Sequence, residues 1–387
     1  MATSDTLKSL MAEMSKDKMN NNSFMRSCQV QVYQDIDLVE GVIDTGFYDL
    51  DYTLLGNLGG FPRGRIIEIY GKEGAGKSTI AMRAIASAQR EGLPCLLADT
   101  EFAYHDAHSQ KWMSQMGVNI NDLLYFPSDI IEQVVSTAHM FFTHGGVLMV
   151  IDSIGGALAK AQSIVEKIRD HPNASYADNV QVAAQAKAWT EGIKNLTGIV
   201  TKAHGLLICT NQVREKLGAY SPNGQPVYTT PGGQLLKHNF SIRLQVDRVK
   251  AIEESGMQVG ILSRVKVTKN KVSGTEGWKS GQQTPSHLAI YYDGRQVDAW
   301  ASILQTAINA GIIEQRGPTY TYHTGIKAVG KERIKEALKE AGITPDDLKQ
   351  EALEATKNHP VESGGGDYTT AEDALDDTVD YVVAGEE

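Results

Sequence analysis

The sequence predicts an α/β protein: a mainly parallel sheet flanked by helices, with an N-terminal helix and a small α+β lobe near the C-terminus. Three observations carry this. Short apolar runs of strand length alternate with helical patterns, the order that a parallel sheet needs. A glycine-rich turn, Gly71-Lys72-Glu73-Gly74-Ala75-Gly76-Lys77-Ser78, lies between a strand and a helix. Val147 to Ile151 is a wholly apolar run that ends in Asp152.

In chain order, Leu7, Leu10, Met11 and Met14 are spaced three and four apart, which predicts a helix over 3–18, and Asn20-Asn21-Asn22-Ser23 ends it. So short a helix is marginal alone in water, so it is expected to pack on the core or on another copy. Ile66 to Tyr70 is a strand, and the helix after the glycine-rich turn runs to about Arg90. Leu93 to Ala98, Val147 to Ile151 and Leu206 to Thr210 are further strands, the last preceded by a long helix around 181–203. Ile242 to Val249 and Val259 to Val272 read as added strands. Residues 300–311 and 331–341 read as helices of the smaller lobe. His359-Pro360 to Gly366 reads as a linker and the rest as a disordered tail.

Composition sets the outer limits. Of 387 residues, 41% are hydrophobic and 22% charged, which excludes whole-chain disorder. The apolar runs are strand-sized, too short to span a membrane. Lys8, Glu13 and Lys16 interrupt the apolar residues at the start, so no signal core is present and a cytoplasmic protein is expected. Cys28, Cys95 and Cys209 are far apart and form no CxxC, which argues against a disulfide framework or a zinc ribbon. Net charge is 37 − 47 = −10, and nine acids with no Lys or Arg fall between Glu362 and Glu387. The body without that tail is near neutral (−10 + 9 = −1) and can carry local basic surfaces.

The glycine-rich turn matches GxxxxGKS in full. Its backbone N–H groups can curl round a β-phosphate while the following helix presents its positive end. Gly71, Glu73, Gly74, Ala75, Gly76 and Thr79 would form the cradle, Lys77 would reach the β- and γ-phosphates, and Ser78 would hold Mg²⁺. A nucleoside triphosphate such as ATP fits these requirements. Asp152 at the end of its strand suits the Mg²⁺ shell through water, or else a helix cap. Glu101, after the strand ending near Asp99, can activate water against a γ-phosphate, or else is a solvated loop residue.

These residues sit within a wider resemblance. Gly64-Arg65-Ile66-Ile67-Glu68-Ile69-Tyr70-Gly71, Ala88-Gln89-Arg90-Glu91-Gly92, Asn211-Gln212-Val213-Arg214, Thr230-Pro231-Gly232-Gly233 and Lys269-Asn270-Lys271 resemble the RecA recombinase family, including its phage UvsX-like branch. They occur in family order over about 36–295, and Ala328-Val329-Gly330-Lys331 adds a weaker match. The resemblance implies a RecA-type P-loop ATPase core, with Glu101 as the water-activating residue and Gln212 as a sensor of the γ-phosphate. Lys269 and Lys271 would reach the nucleotide of the adjacent subunit. Val265, Val267, Lys269 and Lys271 also have the same parity, so one strand face is expected to change from valine to lysine. For the adenine, counting back from Gly117 gives Trp112 and counting forward from Glu101 gives His108.

The stretch from Leu217 to Leu236 has no charge and is rich in Gly and Pro, with Arg214, Lys216, Lys237 and Arg243 around it. Such a loop is usually functional or disordered. In the family it is the second DNA-binding loop, so Thr230, Gly232 and Gly233 join those four residues as DNA contacts. Lys187, Thr190 and Lys194 share one helix face and fall near the family's DNA-contacting arginines, or else form a solvated face. The first DNA loop is expected at about 160–180. Glu215 and His238-Asn239 depart from the family pattern.

The expected organisation is 1–35 for polymerisation, 36–295 as ATPase and DNA-binding core, 296–357 as a lobe that captures duplex, and 358–387 as the acidic tail. The resemblance implies a recombinase that forms an ATP-dependent filament on single-stranded DNA and pairs it with duplex, in the cytoplasm (a host's, if the chain is viral). Single-strand-binding and mediator proteins are further expected partners, and a membrane is not. A ring helicase of the same fold and a non-catalytic DNA coat are the competing readings.

Overall fold

The computed structural model describes residues 41–55, 59–160, 184–220, 226–272, 286–293 and 299–358. The expected helix over 3–18, nearly all of the first DNA loop, the linker and the acidic tail lie outside them.

The elements in chain order begin with β1 (Val42–Ile43), α1 (Tyr48–Leu55), β2 (Phe61–Pro62), β3 (Arg65–Gly71) and α2 (Lys77–Arg90). Next come β4 (Cys95–Asp99), α3 (Ala107–Gln115), β5 (Leu123–Pro127), α4 (Ile131–Thr143), β6 (Leu148–Asp152), α5 (Ala184–Lys202) and β7 (Leu206–Gln212). Then follow β8 (Arg214–Tyr220), β9 (Pro226–Thr229), α6 (Gly233–Asn239), β10 (Ile242–Glu254), β11 (Met257–Asn270) and β12 (Ser286–Tyr291). The smaller lobe holds α7 (Ala299–Asn309), β13 (Ile313–Arg316), β14 (Thr319–Tyr322), β15 (Lys327–Val329), α8 (Lys331–Glu340) and α9 (Pro345–Asn358).

One sheet of eight strands runs in the order β12-β11-β10-β3-β7-β6-β4-β5. Strands β10 through β5 are parallel to their neighbours, and β11 and β12 are antiparallel additions. Side chains alternate across the sheet with period two. Ile67, Ile69, Leu97, Val150 and Ile208 pack under α2 in one core. Ile66, Leu96, Met149, Ile151, Leu207 and Cys209 face the other way, against α4, α5 and α6. Each such fully buried aliphatic side chain contributes about 1.5–3 kcal/mol. Cys95 and Cys209 are buried free thiols, and burial pushes the Cys95 thiol up to about 12.

Several elements differ from the sequence expectation. Strand β5 went unanticipated; it ends in Pro127, which argues against a central strand. The structure puts it at the sheet edge beside β4, with Leu124 and Tyr125 exposed. The uncharged stretch 217–236, expected as a loop, carries the ribbon β8–β9 and the start of α6. The smaller lobe is α+β as expected, its strands forming a three-stranded sheet, and it adds α9 to the two expected helices. Thr344 starts α9 as a reciprocal cap: Thr344 N–H donates to Asp347 at 2.8 Å and Asp347 N–H to Thr344 Oγ1 at 3.2 Å.

Helix α9 is tied to the other end of the described chain. Lys349 donates to Asp51 at 3.0 Å and also to Asp44, and Tyr48 O–H donates to Asp346 at 2.8 Å. Burial, and next the charge of Asp44, raise the carboxyl of Asp51 to about 7, against the pull of Lys349. The unfolded carboxyl releases its proton near 4, whereas the folded one keeps it to about 7. Rising pH across that window therefore favours the unfolded chain. We expect the thermal midpoint to fall between pH 5 and pH 8, and Asp51→Asn to flatten that fall; an unchanged pH profile in the variant would refute it.

Candidate nucleotide and DNA site

Parallel register brings the motif strands to one edge of the sheet. Gly71 pairs with Gln212 and Asp99 with Asp152, so the P-loop, Glu101, Asp152 and Gln212 meet beyond the carboxyl ends of β3, β4, β6 and β7. Ligands bind in that crevice in open α/β sheets. Gly76 leads into α2 with φ +97° and no side-chain cap, which leaves the first N–H groups of the helix open to an anion. At φ +97° any other residue is strained, and a Cβ at Gly76 would stand 2.3 Å from Ile290 Cδ1 of β12, so the turn favours glycine. Ser263 of β11 props the loop by donating to the Ala75 carbonyl at 2.8 Å.

Lys77 is buried and donates to the Lys72 carbonyl at 2.7 Å. Burial lowers its ammonium pKa, and Asp152, Glu101 and Glu73 pull it back up. Ser78 and Thr79 follow in the first turn of α2. Asp152 is buried; Thr210 donates to one of its oxygens and the Tyr104 hydroxyl to the other.

Glu101 is held from three sides. Gln212 Nε2 donates to Glu101 Oε1 at 3.4 Å, and Ser153 Oγ donates to the same oxygen. Buried Asp99 accepts the Glu101 and Ala103 N–H groups at 3.2 and 3.1 Å. Gly156 lets the carboxylate approach: a Cβ there would lie 2.5 Å from Glu101 Cγ. The place of Glu101 after a strand and the family resemblance for Glu101 and Gln212 singled out those two, but nothing pointed to Ser153, Gly156 or Tyr104, whose roles depend on packing between loops distant in sequence.

On the DNA side, Arg214 is exposed at the start of β8, and Tyr228 of β9 is 44% exposed. The Lys72 ammonium lies 4.5 Å from the Tyr228 ring centroid, joining the phosphate loop to the ribbon. Gly232 and Gly233 open α6 with φ +93° and +75°. Lys187 and Lys194 lie on the exposed face of α5, where Lys187 meets Glu191 at 4.0 Å. The Lys216 side chain lies outside the described residues.

The profile of the RecA N-terminal domain matches residues 5–280. The chain belongs to the RecA family. It is similar to the Protein RecA of Chlorobaculum parvum, 33% identical over 324 residues, covering 83% of this chain and 85% of that one. The Protein RecA of Thermus thermophilus is 34% identical over 325 residues, 84% of this chain and 88% of its own. That of Bacillus mycoides is 33% identical over 340 residues, 87% of this chain and 88% of its own. As a RecA-family member the chain is a DNA recombinase and a DNA-dependent ATPase that binds nucleotide and DNA and assembles into filaments. The ring-helicase and passive-coat readings are not favoured. No described helix is long and apolar enough to cross a membrane.

Against that RecA background, three expected contacts look different. Arg243 is turned inward: its Nε donates to buried Glu68 at 2.5 Å, and its guanidinium sits 4.5 Å from the Tyr70 ring centroid. Thr230 is buried and accepts from Arg243 at 3.4 Å, so both side chains have partners within the fold. Lys237 donates to Thr229 of the ribbon at 2.9 Å. Trp112 is partly buried and stacks on Tyr104, ring centroids 6.2 Å apart, whereas His108 is exposed on α3.

The shared face of Val267 and Lys269 is also corrected. Arg243 pairs with Lys269 and Leu244 with Val267, so Thr268 is an extra residue in β11. Such a bulge turns Lys269 to the Arg243 side, away from the core face of Val267. Lys269 donates to the Lys237 and His238 carbonyls at 2.6 and 3.0 Å, and Lys271 to His238 at 3.1 Å. Both ammonium groups thus cap the negative end of α6. Burial, then Lys271 and Arg243, pull the Lys269 pKa down to about 8.

Proposed function

We propose that the chain binds ATP with Mg²⁺ at the P-loop, assembles as a helical filament on single-stranded DNA, and pairs that strand with homologous duplex. What supports this most is the 3.4 Å contact of Gln212 with Glu101, a polar side chain from the strand leading into the ribbon touching the candidate base. The uncapped start of α2 fits phosphate oxygens. Gly71, Glu73, Gly74, Ala75, Gly76, Lys77, Ser78 and Thr79 would cradle them, with Trp112, or else His108, against the adenine. Ser78 and, through water, Asp152 would hold Mg²⁺, which would supply charge neutralisation to the phosphates. Glu101 orients and deprotonates the attacking water, and Gln212 reads the γ-phosphate.

For DNA we assign Arg214, Lys216, Gly232, Gly233, Lys187 and Lys194, with Lys237 supporting the ribbon. Arg243 and Thr230 hold α6 and the ribbon from within. Backbone and phosphate contacts of this kind bind without reading sequence. We assign residues 1–35 to polymerisation, 36–295 to the core, 296–357 to duplex capture and 358–387 to the acidic tail, in a cytoplasmic protein. Strand exchange measured with and without ATP tests the reading; exchange that ignores ATP and Lys77→Ala would refute it.

The lysine pair yields a separate expectation. If Lys269 and Lys271 leave the carbonyls of α6 for a neighbour's γ-phosphate, Lys269→Ala with Lys271→Ala should spare nucleotide binding by single subunits. DNA-stimulated phosphate release should be lost, because the transition-state charge loses two cations. Full stimulation in the double variant would leave the pair as helix caps alone.

A further inference from the structure

We propose that Tyr104 is a positioning residue of the phosphate–cation centre, its hydroxyl holding Asp152 in place. This rests on the reading of Ser78 and Asp152 as the holders of the cation. Tyr104 lies three residues beyond Glu101, on the segment that Asp99 organises: its own N–H donates to Asp99 at 2.9 Å, and Tyr125 O–H donates to the same oxygen at 2.8 Å. The ring is buried and lies against Trp112, with 21° between the ring planes. The phenol oxygen is thus fixed from its backbone and from its ring.

The hydrogen bond has a direction: the phenol gives its proton to Asp152. A phenol holds its proton at neutral pH, so it stays a donor. Asp152 cannot rotate freely, because Thr210 holds its second oxygen. Partners of this kind, one bond removed from a cation's holders, typically cost 10–100-fold in metal affinity when removed.

The test uses Mn²⁺ as the probe, counted by the magnetic resonance signal of free Mn²⁺ with the full-length protein and ADP. Tyr104→Phe removes the hydroxyl and keeps the ring; we expect Mn²⁺ affinity to fall about 10-fold. ADP binding in EDTA and the urea midpoint should stay at parent values, and kcat should fall more than KM rises. Tyr104→Leu removes the ring as well; it should lose as much Mn²⁺ affinity as the Phe variant and also lose stability. Parent affinity in Tyr104→Phe, or loss confined to Tyr104→Leu, would reduce Tyr104 to packing. Ser78→Ala is the control: parent Mn²⁺ affinity there would overturn the cation-site reading itself rather than the role of the tyrosine.

Discussion

Replacing Glu101 by glutamine should leave nucleotide binding intact and slow hydrolysis by about 10²–10⁴-fold, the usual cost of losing a general base. The amide keeps the size of the carboxylate and can still meet Ser153 and Gln212, the two donors now bound to Oε1. It cannot take a proton from water. Filaments should accordingly persist longer on DNA in the variant, since fewer subunits reach the ADP state. Phosphate release at the parent rate would remove Glu101 from the reaction. Gly156→Ala offers a subtler version, because a methyl group 2.5 Å from Glu101 Cγ and 2.8 Å from Thr100 Oγ1 crowds the carboxylate's segment without changing its chemistry.

Arg243→Met should be among the most destabilising changes in the chain. Glu68 is fully buried and its carboxylate has two partners, Arg243 and Asn211 Nδ2 at 2.8 Å. Removing one partner of a buried ion pair strands the other charge, at about 3–5 kcal/mol. Adding Glu68→Gln to the methionine variant should recover part of that loss, since the uncompensated charge is then gone. Urea denaturation measures both. A variant of unchanged stability but weakened DNA binding would return Arg243 to the phosphate contacts that its place in the sequence suggested.

That arginine shows where sequence reading stops. Spacing and motif context gave the parallel core and the P-loop, because those depend on local pattern and on neighbours in the chain. Glu101 was a candidate by its place after a strand, and the family resemblance gave its role and that of Gln212. The burial of Glu68, 175 residues from Arg243, is invisible to local pattern, so a cation beside a glycine-rich loop read as a DNA contact. The bulge at Thr268 was hidden for a related reason: period-two alternation assumes an unbroken ladder, and one extra residue inverts every assignment beyond it. Tyr104 carries no motif at all. Its place follows from the Asp99 turn and the Trp112 ring, both set by tertiary packing.

The clasp of Lys349 on Asp51 has a bearing on how the protein is made. These partners are separated by 298 positions, so on the ribosome the acid waits for its counter-ion. At about 5–20 residues per second that wait is roughly 15–60 s, and it spans the synthesis of the whole P-loop core. During that interval α1 carries a carboxyl destined for burial with no cation to meet it, and its docking surface on α9 does not yet exist. The start of the described chain is thus finished last, and a nascent chain stalled before Lys349 would expose that seam to proteases and chaperones.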